Sequence, residues 1–266
     1  MFEHGRQTSL QVIAALIAVS ALAASAIAVL FPAIYLPFVP NDQLVFNFGQ
    51  DLLSLVAAIL LLATVGRTGV KTDVARIGVV GYLFYAFAPY VMAAIYNDLY
   101  FLYLAVFGLS IFYFIIAFTS IEYDKITFRM PESLRVALAL YCAAVAVFFA
   151  PQWVVALLHD IQTVTWPGNT GFDIIYYVYM LDLCFVLPVF GLASVLLLKK
   201  MPLGYVLGGA LSIKGFTLML SVAAGFVFQP IFGGELDIVS VFEFLALSFV
   251  FMVLAVAYFL VTKAER

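Results

Sequence analysis

The sequence predicts an all-α membrane protein, a polytopic bundle of eight transmembrane helices. Apolar residues make up 66% of the chain and charged residues 10%, whereas soluble proteins carry roughly 25% charged residues. The apolar residues recur in stretches near the ~20 residues that a helix needs to cross about 30 Å of hydrocarbon. A transmembrane barrel would instead show alternating segments of ~10 residues. We therefore expect residues 1–266 to form a single transmembrane domain.

Four apolar stretches fill the first half of the chain, and residues that favour turns separate them. The predicted spans are 10–31, 44–65, 77–96 and 99–119. The first span is longer than the roughly 7 to 15 residues of a signal-peptide core, so we expect it to be retained. Pro37 and Pro40 precede the second span, and Gly66 follows it. Asn97 and Asp98 separate the third span from the fourth.

Four further stretches fill the second half, again with turn-forming residues between them. The predicted spans are 134–150, 172–198, 203–228 and 238–261. Pro131 and Pro151 bound the fifth span, which is the shortest. Pro167 precedes the sixth span, and Pro202 separates it from the seventh. Pro230 lies between the seventh and the eighth.

The basic residues predict the orientation, because short cytoplasmic loops are enriched in lysine and arginine. In the eight-span arrangement, all of the 12 lysines and arginines except Lys214 fall on one side. A seven-span arrangement would scatter them to both faces. We therefore expect a protein of the cell's inner (cytoplasmic) membrane with both termini in the cytoplasm. The outward loops would then carry acidic residues.

Several polar side chains are predicted to lie at similar depths in the membrane. At 1.5 Å per residue, Asp51, Asp182 and Lys214 lie roughly 20 to 26 Å from the cytoplasmic boundary, and Glu243 lies about 30 Å from it. Residues three, four and seven apart share a helix face, which gives four polar stripes. The stripes are Asn47-Asp51-Ser54, Tyr179-Asp182, Lys214-Thr217-Ser221 and Ser240-Glu243. They predict an outward-opening pocket whose candidate ligand- or ion-binding residues are Gln50, Asp51, Tyr179, Asp182, Lys214, Thr217 and Glu243.

The order of residues also suggests an internal duplication. Asp51-Leu52-Leu53 and Asp182-Leu183-Cys184 each precede an aliphatic run that ends in basic residues. Transport folds are often built from repeats, so one hypothesis is a parallel four-plus-four arrangement with halves 1–130 and 131–266. Asp51 and Asp182 would then be equivalent, and Leu83 would take the place of Lys214. The alternative is that apolar segments resemble one another by composition alone.

Two stretches resemble an uncharacterised family of prokaryotic multi-pass membrane proteins. The first is Phe48-Gly49-Gln50-Asp51-Leu52-Leu53. The second is Leu181-Asp182-Leu183-Cys184-Phe185-Val186-Leu187-Pro188, followed by the basic pair Lys199-Lys200. The resemblance implies a multi-pass helical architecture and carries no known activity.

Motifs for several kinds of chemistry are missing from the sequence. It contains no HExxH, GxSxG or Walker loop. His4 and His159 are predicted on opposite faces, which disfavours a bis-histidine haem site, and Cys142 and Cys184 are isolated thiols. We expect no cofactor, no metal and no nucleic-acid partner. Enzymatic activity is not predicted, and any enzyme here would be an atypical one that acts on lipids with acidic residues alone.

A lysine and acidic residues inside the membrane are compatible with two functions. Charged side chains there are costly, so they are paired with an opposite charge, hydrated or used in function. The first is a small-solute or ion-coupled permease, with Asp51 and Asp182 binding a proton or cation and Lys214 as counter-ion. The alternative is a non-transporting subunit or sensor whose buried charges are structural, with loops 42–44 and 159–171 contacting a partner. A homo-oligomer is also compatible with either. The aromatic residues Tyr96, Tyr100, Tyr103, Trp153 and Trp166 are expected to form an outer membrane belt.

Overall fold

The computed structural model describes residues 4–39, 44–163 and 174–265, and most of them are helical. The helices are α1 (His4–Leu30), α2 (Leu44–Thr64), α3 (Val70–Met92), α4 (Tyr100–Ser120), α5 (Glu132–Thr163), α6 (Ile174–Leu181), α7 (Leu187–Leu198), α8 (Pro202–Phe228) and α9 (Ile238–Val261). A π-helical segment, Asp182–Val186, joins α6 to α7. Among the described residues, eight helices are long and apolar enough to cross a membrane, with α6 and α7 contributing to one of them. The predicted all-α architecture with eight span-length helices is therefore confirmed.

Two helix boundaries differ from the prediction. α3 begins at Val70, where the prediction placed the start of the span at residue 77. The added turns carry Asp73 and Arg76, which lower the local hydropathy although both side chains are buried. α5 continues through Pro151 to Thr163, so the predicted break at this proline is wrong. A proline removes one backbone donor, and helices of membrane proteins tolerate this where neighbouring groups satisfy the freed carbonyl.

A short β-ribbon accompanies the helices. β1 (Thr127–Arg129) pairs antiparallel with β2 (Lys263–Glu265), with Phe128 opposite Ala264. Each strand has three residues, too few to give a readable alternation in the sequence. The ribbon joins the segment that follows α4 to the segment that follows α9.

The chain divides into two compact units, and each is described by itself. Unit 1 consists of Met1–Arg129 and Gly209–Arg266, and unit 2 consists of Met130–Gly208. In unit 1, α1 packs against α2 and α4, and α3 also packs against both of these helices. In unit 2, α5 packs along α7.

Glycines allow α2 and α3 to approach α8 closely in unit 1. A β-carbon at Gly49 would lie 2.5 Å from the backbone nitrogen of Gly225. A β-carbon at Gly78 would lie 2.7 Å from the carbonyl oxygen of Ala210. Small residues are common where membrane helices pack backbone to backbone. The first contact places α8 beside the segment of α2 that carries Asp51, and the second places α8 beside α3.

Basic side chains of unit 1 bind the carbonyl groups at the ends of three helices. Arg76 donates to the Thr64 carbonyl oxygen at the end of α2 (2.8 Å), and Lys71 donates to the Phe259 carbonyl oxygen near the end of α9 (2.7 Å). Arg6 reaches the Thr119 carbonyl oxygen in the last turn of α4 at 3.4 Å. The last four carbonyl groups of a helix have no partner within it, and cations there also complement the helix dipole. These residues, which predicted the orientation, therefore also stabilise helix ends.

In unit 2, a basic side chain likewise binds a carbonyl group at the end of a helix. Arg135 in the first turns of α5 donates to the Leu198 carbonyl oxygen at the end of α7 (3.2 Å) and also binds Glu132. Gly204 packs against the same end of α7, since a β-carbon there would lie 2.6 Å from the backbone nitrogen of Leu197. The start of α5, the end of α7 and the start of α8 therefore form one compact corner.

Candidate functional site

Asp51 on α2 is the centre of a buried polar cluster in unit 1. The side chains of Ser25, Tyr35, Asp51, Tyr90 and Tyr103 make up this Asp51 cluster. Asp51 is 1% exposed, and its Oδ2 accepts hydrogen bonds from the hydroxyl groups of Tyr35 (2.7 Å) and Tyr90 (3.3 Å). The Ser25 hydroxyl approaches Oδ1 at 3.4 Å. Among the described residues, all of these hydrogen-bond partners are neutral hydroxyl groups.

Local structure explains how the tyrosines reach Asp51. Tyr35 ends a short 3₁₀ helix, Pro32–Tyr35, that follows α1, and its side chain is buried. Its ring stacks on that of Tyr90 with centroids 5.3 Å apart, and the Tyr90 ring lies 4.9 Å from that of Tyr103. Burial, together with the nearby Asp51 charge, raises the pKa of Tyr35 well above its usual value. The Tyr35 hydroxyl therefore keeps its proton and donates a hydrogen bond to Asp51.

The cluster extends to the loop between α3 and α4. The Tyr103 hydroxyl donates to the Tyr35 oxygen at 3.3 Å, and the Asn97 side-chain amide donates to the Tyr103 oxygen at 3.1 Å. Asn97 is half-buried, and its Oδ1 accepts a hydrogen bond from the Leu99 backbone N–H (3.1 Å). Tyr103 was expected in a surface belt, and that prediction is wrong because its side chain is fully buried in the cluster. A chain of hydrogen bonds thus runs from the loop to Asp51.

Gln50, a predicted site residue, holds α2 against α3. Its side-chain amide donates to the Ala86 carbonyl oxygen at 2.6 Å. The Tyr82 hydroxyl donates to the Gln50 backbone carbonyl oxygen (3.1 Å) and lies 3.4 Å from the Ser54 hydroxyl. These contacts position the helix turn that carries Asp51.

Lys214 lies on α8 and is buried, with 6% of its surface exposed. Its ammonium nitrogen sits 4.0 Å from the centroid of the Tyr85 ring, which is a cation–π geometry. Its aliphatic stem passes Gly81, where a β-carbon would lie 3.8 Å from Lys214 Cγ. The Thr217 hydroxyl on the same predicted stripe bonds back to the Ile213 carbonyl oxygen at 2.9 Å. The side chain of Lys214 thus lies between α8 and α3.

Asp182 lies in unit 2 at the first residue of the π-helical segment. The Trp153 indole N–H donates to its Oδ2 at 2.9 Å, and the Trp153 ring lies 4.9 Å from the ring of Tyr179. Trp153 was expected in the outer belt beyond the fifth span, but α5 continues through this position and directs the indole to Asp182. π-helical turns are frequent at functional sites. The predicted pairing of Asp182 with Lys214 joins residues of different units and stays a prediction.

Glu243 is exposed on α9. Its predicted stripe partner, Ser240, is engaged in the helix N-cap. The Ser240 hydroxyl and backbone N–H bond the Asp237 carboxylate at 2.6 and 3.1 Å, and these bonds lower the pKa of Asp237. The Asp237 side chain therefore caps α9 as a carboxylate.

The span-length helices and their buried polar side chains define a polytopic helical membrane protein. Comparison of the chain with protein-family models, curated proteins and solved structures gave no match. The described residues contain no group of three or more histidine, cysteine, aspartate or glutamate side chains that could hold a metal ion. Among the described residues, the Asp51 cluster is therefore the candidate functional site.

Proposed function

We propose that the protein is a permease that couples the movement of a small solute to a proton or small cation bound at Asp51. The observation that carries this proposal is the burial of a carboxylate within α2 among hydroxyl donors. Ionisable residues inside membrane spans are costly and commonly mark ion pathways or proton relays. Asp51 is the residue at which we expect the coupling ion to bind.

Hydroxyl groups suit a carboxyl group that changes its charge. A tyrosine or serine hydroxyl donates to a carboxylate and accepts from a protonated carboxyl group, so the same partners serve both states. The second buried carboxylate of unit 1 is different, because Asp73 forms an ion pair with Arg76 at 3.0 Å. Arginine keeps its proton in proteins, and Asp73 therefore has a fixed positive partner. This contrast favours Asp51 as the exchanging group.

The proposal also gives supporting roles to two other predicted site residues, one in each unit. Asp182 would be a second carboxylate for the solute or cation, held by the Trp153 indole. Lys214 would be a counter-ion whose pairing changes with occupancy, supported in one state by the face of Tyr85. The proposed placement is the inner membrane, with cytoplasmic termini and an outward pocket. The distribution of lysine and arginine supports this placement.

The test is proton-coupled flux in proteoliposomes that contain the full chain and a trapped pH-sensitive dye. A potassium gradient with valinomycin sets the membrane potential, and amino acids, sugars, organic acids and sodium are added one at a time. Wild-type protein should acidify the lumen with at least one of them, and Asp51→Asn should abolish that signal. Asp124→Asn is the matched control, because Asp124 is exposed in the loop after α4.

Two results would contradict the proposal. One is a wild-type protein that gives no proton flux with any solute of the panel and, with a sodium-sensitive dye in place of the pH-sensitive one, no sodium flux, which would favour the non-transporting subunit or sensor. The other is an Asp51→Asn variant that is folded and retains the full flux. Thermal unfolding of each variant in detergent separates loss of transport from loss of folded protein.

A further inference from the structure

The hydrogen bonds of the Asp51 cluster form a directed path between the loop after α3 and the buried carboxylate. Tyr103 donates to Tyr35 at 3.3 Å, and Tyr35 donates to Asp51 at 2.7 Å. Both hydroxyl groups therefore point their protons towards Asp51. Tyr90 donates to the same Asp51 oxygen at 3.3 Å but is not a link in this path.

We infer that Tyr103 and Tyr35 relay protons between the Asn97 end of this path and Asp51. This inference rests on the proposed function and names the route by which its coupling proton would arrive. A hydroxyl group donates one hydrogen bond and accepts others at the same oxygen. Each tyrosine can therefore pass one proton on as it receives another, and neither needs to carry a lasting charge.

The proton transfer balances when it starts from a hydronium ion beside Tyr103. The hydronium ion protonates the Tyr103 oxygen as the Tyr103 proton moves to Tyr35 and the Tyr35 proton moves to Asp51. The products are one water molecule, two neutral phenols with reversed hydroxyl groups and a neutral Asp51 carboxyl group. Rotation of the two hydroxyl groups resets the path for the next proton.

Asn97 is a positioning residue at the outer end of this path. The Leu99 backbone N–H binds its Oδ1, which fixes the amide so that its nitrogen donates to Tyr103 at 3.1 Å. Asn97 is half-buried, whereas Tyr103 is fully buried. The Tyr103 oxygen has a second lone pair for a water molecule or hydronium ion, and the relay requires that water reach it beside the half-buried Asn97.

Among the described residues, the helices packed against α2 carry further tyrosines and a lysine near this part of the chain. α3 contributes Tyr90 and, through the Gln50 carbonyl oxygen, Tyr82. α1 contributes the Ser25 hydroxyl, and α8 contributes Lys214, whose ammonium group lies over Tyr85. The relay therefore consists of two hydroxyl groups in series, because Tyr103 donates to Tyr35 and Tyr35 donates to Asp51.

The test measures the rate at which Asp51 takes up a proton after a rapid drop in pH. The full chain in vesicles is followed by time-resolved infrared spectroscopy at the carboxyl C=O stretch, and the Asp51 band is the one that Asp51→Asn removes. Tyr103→Phe and Tyr35→Phe should each slow its appearance by about tenfold or more, since positioned proton-transfer groups contribute ~10² to 10⁴ in rate. In D₂O the wild-type rate should fall and the rate in the two variants should change less.

Two control variants keep the test specific. Tyr258→Phe removes a buried hydroxyl that has no hydrogen-bond partner among the described residues, and the rate should stay at the wild-type value. Tyr90→Phe removes a bond to Asp51 outside the relay, so we expect a change in the pH midpoint of the band with a smaller change in rate.

The outcomes separate this inference from the proposed function. Wild-type rates in folded Tyr103→Phe and Tyr35→Phe would overturn the relay and leave the permease intact. A titrating Asp51 band in a protein without ion-coupled flux would overturn the permease. If one tyrosine variant does not fold, the other decides, because each interrupts the same path. If neither folds, the D₂O effect on the wild-type rate decides, and its absence would overturn the relay.

Discussion

Gly49 provides a sharp test of the packing that positions Asp51, because it lies two residues before Asp51 on α2. A β-carbon at this position would lie 2.5 Å from Gly225 N, 2.7 Å from the Ser221 carbonyl oxygen and 3.0 Å from Gly225 Cα. All three atoms belong to the α8 backbone, so no side chain can rotate away. Gly49→Ala must therefore push α2 and α8 apart.

The size of this effect follows from two opposing contributions. Replacing glycine by alanine inside a helix stabilises it by about 1 kcal/mol. Overpacking a tight contact costs about 1 to 3 kcal/mol, and occasionally more when the neighbour cannot move. Gly108→Ala on α4 is the matched control, because a β-carbon there meets no atom within 4 Å. Both variants share the first contribution, so Gly49→Ala should be less stable than Gly108→Ala by about 1 to 3 kcal/mol.

Thermal unfolding of the purified protein in detergent measures this difference. A change of 1 kcal/mol moves the midpoint by about 2 to 4 °C in a domain of 150 to 250 residues. We therefore expect the Gly49→Ala midpoint to lie about 2 to 12 °C below that of Gly108→Ala. Equal midpoints would refute the close approach of α2 and α8 at Gly49.

Two further predictions concern charged groups outside the Asp51 cluster. Arg76→Met should destabilise the protein by about 3 to 5 kcal/mol, because it breaks the buried ion pair with Asp73 and the hydrogen bond to the Thr64 carbonyl oxygen. Chemical unfolding measures this effect, and a loss below about 1 kcal/mol would contradict the buried pair. The second prediction concerns Asp237, whose pKa is lowered by its bonds to Ser240. Its capping contribution should be present above the ordinary aspartate pKa and be lost as the pH falls through the lower folded value. Hydrogen exchange at the Ser240 amide should therefore be faster in Asp237→Ala near neutral pH, and this difference should disappear in strong acid.

Hydropathy was sufficient to predict the helices because lipid selects for long apolar segments whatever their neighbours are. Hydropathy placed the start of α3 too late, because it takes no account of the neighbours that a buried charged side chain finds. Asp73 and Arg76 are buried in the protein and form an ion pair there, so the helix extends beyond its apolar window. The fifth span was predicted too short because a proline was treated as a stop. The residues on both sides of Pro151 remain helical.

The candidate site was only partly predictable. Asp51 and Gln50 were predictable because the apolar run that follows them, residues 52–65, is too short to cross the membrane alone, so both residues must lie inside the span. The place of the tyrosines in the site could not be predicted, because an aromatic hydroxyl in an apolar segment is compatible with a surface belt, a packed core or a polar site. The usable signal was that a buried tyrosine hydroxyl needs a partner. The depth of a residue along its helix could be counted from the sequence, but tertiary packing decides which helices are neighbours.

The two carboxylates that are buried among the described residues of unit 1 show why burial alone does not identify a functional acid. Asp51 and Asp73 are almost equally inaccessible, at 1% and 0% exposure. Asp73 lies three residues from a guanidinium group that also binds carbonyl groups at the end of α2, so its charge is part of a helix-end contact. Removing the Asp73 charge would leave a buried cation, which is strongly destabilising. The named partners of Asp51 are hydroxyl groups that reverse their role when the carboxyl group gains a proton. We therefore expect Asp51→Asn to be tolerated by the fold better than Asp73→Asn. Equal destabilisation by the two substitutions, measured by unfolding at neutral pH, would show that the Asp51 charge is structural.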